Sequence, residues 1–231
     1  MNKTNKINNI IIAISAILVI GFCTFLIMNH KTVSLKDCEK VKQEYEKINE
    51  ATIKETKKKL INVNIDKENP FIYKTPKQIV SILNKENCLV FFGDAKDNWC
   101  RNAIETLIKA AKNNKIDKIY YVDIFGIRDE FVFNGSIEPK QTKKGMDAYY
   151  KMVDFFGDNL KEYYVPDPNG NLYDTGVKRL YAPTFALIEK GKVKGFHEFT
   201  VLSHRNPNEK ITEEQEDELF KIYDKIIKSK E

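Results

Sequence analysis

Apolar positions along this 231-residue chain follow three successive regimes. From Ile10 to Met28 no charged residue occurs, and a helix of that length, rising about 1.5 Å per residue, spans roughly 28 Å, close to the hydrocarbon thickness of a bilayer. From Ser34 to Leu60 the chain is densely charged and free of Gly and Pro, while Cys38, Val41, Tyr45 and Ile48 recur at alternating spacings of three and four. This predicts a helical stalk, the alternatives being a helix packed on its own domain or one lying free near the membrane; the repeats are too few for a coiled coil. The Asn/Asp/Lys-rich stretch from Asn62 to Asn69 then predicts a boundary.

From residue 70 onward strand and helix signals alternate, which predicts an α/β layer structure with helices flanking a central mixed sheet. Phe71, Ile72 and Tyr73 form a short strand, and Thr75 and Pro76 supply an N-cap and a first-turn proline for a helix reaching about Asn84. The apolar run from Cys88 to Phe92, closed by Gly93, predicts a buried central strand. Between Trp99 and Asn113, Ile104, Leu107, Ile108 and Ala111 recur at helical spacing, and Ile119 to Ile124 is the next strand. The segment Phe125 to Tyr181 interrupts the alternation and is expected to be an insertion after the third strand. It holds one amphipathic helix, with Met146, Tyr150, Val153 and Phe156 on its apolar face, and a turn at 167–170. Thr184 to Glu189, a Lys190-Gly191 turn and Lys192 to Phe199 predict a hairpin. Thr212 and Gln215 make a capping box for a last helix striped with Leu219, Phe220, Tyr223, Ile226 and Ile227. The expected division is a membrane anchor over 1–30, a stalk and linker over 31–69 and an α/β domain over 70–231.

Charge orients the first regime. Lys3 and Lys6 precede the apolar run on a short tail, which predicts a cytoplasmic N-terminus and a single-pass membrane protein whose C-terminal domain is extracytoplasmic. A cleaved signal peptide, leaving a secreted form, carries the same pattern. No small-x-small cleavage site follows, however, and Phe22 stands where a lipoprotein signal has a small residue before its cysteine, here Cys23. The 38 basic and 33 acidic side chains are interspersed, giving a net charge of +5 and a solvated surface with no nucleic-acid groove. His30, His197 and His204 lack metal-ligand spacing, and neither a Gly-rich phosphate loop nor a nucleophile elbow occurs, so no metal and no cofactor is expected. Arg128 and Asp129, after the third strand, read as a solvated ion pair.

Taken in order, the elements are strand, helix, central strand, helix, strand, insertion, a hairpin preceded by Ala182-Pro183-Thr184, and a closing helix. This order resembles thioredoxin. The resemblance sharpens at Val90-Phe91-Phe92-Gly93, followed by Asp97-Asn98-Trp99-Cys100-Arg101-Asn102-Ala103. In membrane-anchored or secreted thioredoxin-like proteins, including those resembling bacteriocin-transport accessory proteins, the equivalent segment reads Cys-Pro-Trp-Cys-Arg. Asp97 stands in the place of the first cysteine and Asn98 in that of the proline.

The resemblance implies a thioredoxin-like domain of thiol-disulfide oxidoreductase ancestry whose dithiol exchange is lost or reduced to a monothiol reaction at Cys100. In that family a first thiolate at a helix N-terminus attacks and a second sulfur resolves the mixed disulfide. A carboxylate at Asp97 has the same electrostatic site but forms no disulfide, and it also suits a plain N-cap. Pro183 corresponds to the family's cis-proline, so Asp97, Asn98, Trp99, Cys100, Ala182, Pro183 and Thr184 are expected around one shallow groove. A non-catalytic accessory module of the cell envelope, holding an extracytoplasmic protein or peptide there, is the alternative. Cys88 lies too far along its strand to replace the missing sulfur and is expected in the core, while Cys38 remains open to a bridge with Cys100 or with a second chain.

Overall fold

The computed structural model describes residues 37–54, 57–133 and 138–230. The expected anchor, with Cys23 and His30, lies outside them; among the described residues no helix is long and apolar enough to cross a membrane.

The protein is a mixed α/β structure whose five-stranded central sheet is flanked by helices. Its strands are β1 (Phe71–Tyr73), β2 (Cys88–Gly93), β3 (Ile119–Asp123), β8 (Thr184–Glu189) and β9 (Lys192–Glu198), in the order β1-β3-β2-β8-β9. β1 and β2 run parallel to β3, while β8 runs antiparallel to both β2 and β9. Every residue of β2 and β8 is buried because both strands are covered on two faces. The turn joining β8 to β9 has Lys190 at φ 51° and Gly191 at φ 69°, the left-handed pair that a two-residue hairpin of native twist requires.

α2 (Pro76–Leu83) and α4 (Asp147–Phe156) pack together on one face, and α3 (Asn98–Asn113) and α5 (Glu213–Lys228) on the other. α2 and α5 each begin with a complete capping box, at Thr75/Gln78 and Thr212/Gln215. α5 buries Leu219, Tyr223, Ile226 and Ile227, with Tyr223 set edge-on to Phe185 of β8 at 5.3 Å.

The stretch expected as a stalk is part of the body of the domain. Its helix α1 covers residues 37–46, ending well short of Leu60. Val41 and Tyr45 are fully buried, and Tyr45 meets Tyr121 of β3 at 6.2 Å. Gly93 makes that approach possible: a Cβ there would lie 2.9 Å from the Tyr45 hydroxyl and 2.8 Å from the Tyr121 ring. Beyond the helix the chain returns as an irregular arm held by asparagines. Asn49 donates to the Val63 carbonyl (2.8 Å) and accepts from the Val63 N–H (3.1 Å), standing in for a strand neighbour. Leu60, Val63 and Ile65 are buried, and Asn49, Asn98 and Arg101 bond to the backbone of Ile61 and Val63, so the polar stretch 62–69 is no free linker.

The segment after β3 also departs from expectation. α4 buries Tyr149, Met152 and Phe156, of which Phe156 belongs to the predicted face, while Tyr150 and Val153 are half-buried against the core. Met146 precedes the helix as its N-cap and is exposed, while the Tyr150 hydroxyl accepts from the Gly145 N–H at 3.0 Å. Phe156 selects the face by fitting between Phe92 (5.5 Å) and Phe196 (5.7 Å). Two hairpins flank α4: β4 (Glu130–Val132) with β5 (Lys140–Lys143), and β6 (Lys161–Pro166) with β7 (Leu172–Arg179), the latter carrying the predicted 167–170 turn at its tip. Asp129 pairs with Arg179, whose Nη1 donates to the Asp129 carbonyl (3.0 Å) and approaches its carboxylate (3.4 Å). That pair is buried, so the expected solvated pairing of Asp129 with Arg128 is replaced by a link between the two hairpins.

Candidate functional site

β2 and β3 are parallel neighbours, with Gly93 opposite Asp123, so their carboxyl ends open on the same edge of the sheet. After Gly93 the chain turns sharply. Asp94 accepts from the Lys96 N–H through Oδ1 (2.8 Å) and through its carbonyl from the Asp97 N–H (3.1 Å). Asp97 is thereby placed as the N-cap of α3, with φ −99° and ψ 122°, and its carboxylate accepts from the Trp99 N–H at 2.7 Å.

Burial raises the pKa of Asp97 to about 6, and the neighbouring Asp94 adds to the effect; the bond from Trp99 opposes both. Asp94, 5 % exposed, is raised for the same first reason. Since the folded pKa of Asp97 lies above its unfolded value, the native state holds a proton that the unfolded chain has released between about pH 4 and 6. Stability therefore falls as pH rises through that window and stays lower above it. Asparagine caps a helix as well as aspartate does. The Asp97→Asn variant is expected to be more stable at pH 7.5 by about 1–2 kcal/mol, a figure reduced for partial solvent exposure, and nearly unchanged at pH 4. Urea unfolding at the two pH values measures this; equal shifts at both would refute the assignment.

Cys100, one turn into α3, is fully buried, and loss of hydration pushes its thiol well above the ordinary range, with Asp97 and Asp94 adding to the rise. It is therefore a thiol in the core, and it lacks the exposure and the lowered pKa that nucleophilic attack at neutral pH requires. Cys88 is likewise buried, its thiol pushed up to about 12 by desolvation. Cys38 is engaged elsewhere, its Sγ donating to the Lys67 carbonyl at 3.1 Å, and neither it nor Cys88 forms a disulfide with Cys100.

The next side chains are structural. Asn98 donates to the Lys59 carbonyl (2.9 Å) and to Asn208 (3.2 Å) and accepts from the Ile61 N–H (2.8 Å). Its amide is engaged inside the protein, while the residue also borders the hollow described below. Arg101 is 1 % exposed and donates to the carbonyls of Tyr45 (3.0 Å), Ala95 (2.9 Å) and Ile61 and to the side chain of Asn49. Asn102 accepts from the Ile211 N–H (2.9 Å) and donates to the carbonyls of Pro207 (3.0 Å) and Glu209 (3.1 Å). The first turns of α3 thus clasp both the N-terminal arm and the loop before α5.

Trp99 remains half-exposed and makes edge contacts with Phe199 (5.9 Å) and His204 (5.2 Å). Phe199 in turn donates its N–H to the Pro183 carbonyl (2.8 Å), so it bridges Trp99 to the bend before β8. The Ala182–Pro183 peptide is cis, and Thr184 pairs with Phe92 at the end of β2. The bend and the start of α3 therefore share one end of the sheet. Ala182, Pro183 and Thr184 are nevertheless buried, and the Thr184 hydroxyl donates to the Tyr181 carbonyl (2.9 Å). Phe199 thus stands between this bend and Trp99.

An open space borders Asp97 and Trp99. It is a hollow of about 640 Å³ whose wall includes Asp94, Lys96, Asp97 and Trp99, with Phe125 from the end of β3. Asn98, with Ile53 and Lys58 of the arm and Pro207 and Asn208 of the last loop, completes it. Sequence reasoning missed Asp94 and Phe125, although both directly follow strands that end at the same sheet edge, where α/β sheets open their ligand crevices. The loop contributions of Ile53, Lys58, Pro207 and Asn208 carried no such signal. No family model, no curated protein and no solved structure matches the chain.

Proposed function

We propose that the protein is a thioredoxin-like binding module of the cell envelope, held to the membrane by the apolar run near its N-terminus and facing the extracytoplasmic side, in which dithiol exchange has been lost. The strand order β1-β3-β2-β8-β9 with β8 antiparallel supports this reading. So does the bend at Ala182-Pro183-Thr184 beside the start of α3. On this reading α4 is the crossover helix of the plan, and the additions are the arm before β1 and the two hairpins around α4.

The observation that carries the loss of redox chemistry is the pairing of a carboxylate at the tip of α3 with a wholly buried Cys100. Exchange needs an attacking thiolate and a resolving sulfur, and only the resolving one is present. Burial of Cys100 argues against the monothiol alternative, because a thiol that loses its hydration on ionising offers few thiolates. What is left is a hollow lined by Ile53, Trp99 and Phe125 together with Asp94, Asp97, Lys58 and Lys96, the mixed apolar and polar chemistry of a recognition site, and its occupant is read as a segment of a partner protein or peptide.

The test is alkylation of the full chain with iodoacetamide at neutral pH, mapped by mass spectrometry, alongside insulin reduction with dithiothreitol. Cys100 is expected to stay unmodified until guanidinium is added, and insulin reduction to remain at the uncatalysed rate. Rapid labelling of Cys100 in the folded chain, or catalysis that Cys100→Ser abolishes, would restore the enzyme reading.

A further inference from the structure

The amino ends of the parallel strands, opposite the rim that carries Asp97, gather lysines. Four segments meet there: residues 84–87 before β2, 112–118 between α3 and β3, 190–192 at the β8–β9 turn and 224–230 at the end of α5. Cys88 at the foot of β2 pairs with Ile188 near the end of β8, and the Lys190 N–H donates to the Asn87 side chain at 2.8 Å. Lys118 lies 3.8 Å from Glu86, and Asn114 donates to Asp224 at 2.8 Å. These segments hold nine lysines, all exposed, against three acids. Glu86 and Asp224 already pair within the set, with Lys118 and Lys228. An excess of six positive charges remains, whereas all other described residues together sum to −3.

The chain from the apolar run enters the domain at this same end. α1 begins at residue 37, and the Cys38 carbonyl accepts from the Asn69 side chain at 3.1 Å. Pro70, the next residue, accepts through its carbonyl from the Ile119 N–H at the foot of β3 (2.8 Å). Only eight residues separate Met28, the last of the apolar run, from Asp37, and fully extended they reach about 30 Å at most. α3 runs from Asn98 at the opposite rim to Asn113 at this base, which sets the two ends about 24 Å apart.

We propose that this lysine-rich base rests on anionic lipid headgroups of the membrane in which the chain is anchored, and so turns the hollow beside Trp99 away from the bilayer. The inference rests on the membrane-tethered reading above and names the surface of the domain that faces the lipid. Attraction of lysines to an anionic surface accumulates over several side chains and dies away within a Debye length, about 8 Å at physiological salt. It therefore acts only on a base held close, as the short connection holds this one. None of the exposed large apolar side chains among the described residues lies in the four segments, so the contact is electrostatic and reverses with salt.

The full chain is inserted into vesicles of phosphatidylcholine alone, or with about one third phosphatidylglycerol, and flotation checks its association. Its lysines are then acetylated with an uncharged N-hydroxysuccinimide ester and read by mass spectrometry. Lys115, Lys118, Lys190 and Lys230 are expected to react about threefold or more slowly on the anionic vesicles, with Lys58 beside the hollow unchanged, and half-molar salt is expected to erase the difference. A Lys115→Gln/Lys118→Gln/Lys190→Gln variant, its folding checked by thermal melts, is expected to lose the slowing at Lys230. Equal reactivity on the two vesicles, slowing that reaches Lys58 equally, or slowing at Lys230 that survives in the variant overturns the contact and leaves the anchor standing. A chain that floats with neither vesicle overturns the anchor, and the contact with it.

Discussion

An Asp97→Cys variant is expected to close a disulfide with Cys100 on mild oxidation and to gain insulin-reducing activity at least about tenfold above the native chain. Residues 97 and 100 are the N-cap and third position of α3, and helix geometry puts their Cα atoms about 5 Å apart, inside the range a disulfide spans. A thiol at the cap meets the unpaired N–H groups that now bind the carboxylate, which favours its thiolate. That thiolate attacks a disulfide sulfur of insulin and expels one insulin thiolate; Cys100 then attacks the sulfur of residue 97 and releases the second, and dithiothreitol reduces the resulting bridge. Two effects limit the gain. Asp94 lies close enough to raise an acid at position 97, and burial holds back ionisation of Cys100. Mass spectrometry reads the loss of two hydrogens on oxidation, and Cys100→Ser in the same background must abolish the activity. Failure to form the bridge would mean that the start of α3 lacks the geometry of a dithiol site, and the thioredoxin-like reading would fall.

Removal of residues 1–70 is expected to leave a chain that does not fold, although the part retained begins at the first strand of the central sheet. Cys38, Val41, Tyr45, Leu60, Val63 and Ile65 are each at most 4 % exposed, and burying one such side chain is worth about 1.5–3 kcal/mol. Their sum alone rivals the roughly 5–15 kcal/mol that holds a domain together. The cut also strands Arg101. It donates to Tyr45, Ile61 and Asn49, and a buried cation stripped of its partners costs about 3–5 kcal/mol more. Circular dichroism and heteronuclear NMR of the fragment from Phe71 should show an unstructured or aggregating chain, while a fragment retaining the arm from α1 onward should melt cooperatively. A well-folded Phe71 fragment would mean that the arm merely decorates the domain.

Much of this protein could be read from residue types alone wherever the information was local. A capping box sits three residues apart, a hairpin turn needs Lys190-Gly191, and a strand covered on both faces is apolar throughout, as from Cys88 to Phe92; each of these falls where the pattern predicted it. The same holds for Asp97 as the cap of α3, since a short acceptor followed by a helical stripe is its own signal. Periodicity, by contrast, says that a helix has an apolar face and not what covers it. Cys38, Val41 and Tyr45 looked like a stalk for that reason, and only the packing of α1 on Tyr121 and Arg101 made them core. The face of α4 was settled by Phe156 between Phe92 and Phe196, partners 64 and 40 residues away in the chain. The site divided along the same line. Sequence order alone determined that a carboxylate caps α3, because that is a matter of one residue at a helix tip. Whether Cys100 reaches solvent and which residues line the open space beside Asp97 were decided by contacts such as those of Phe125, Ile53 and Lys58, because burial depends on neighbours brought together by the fold and not by the chain.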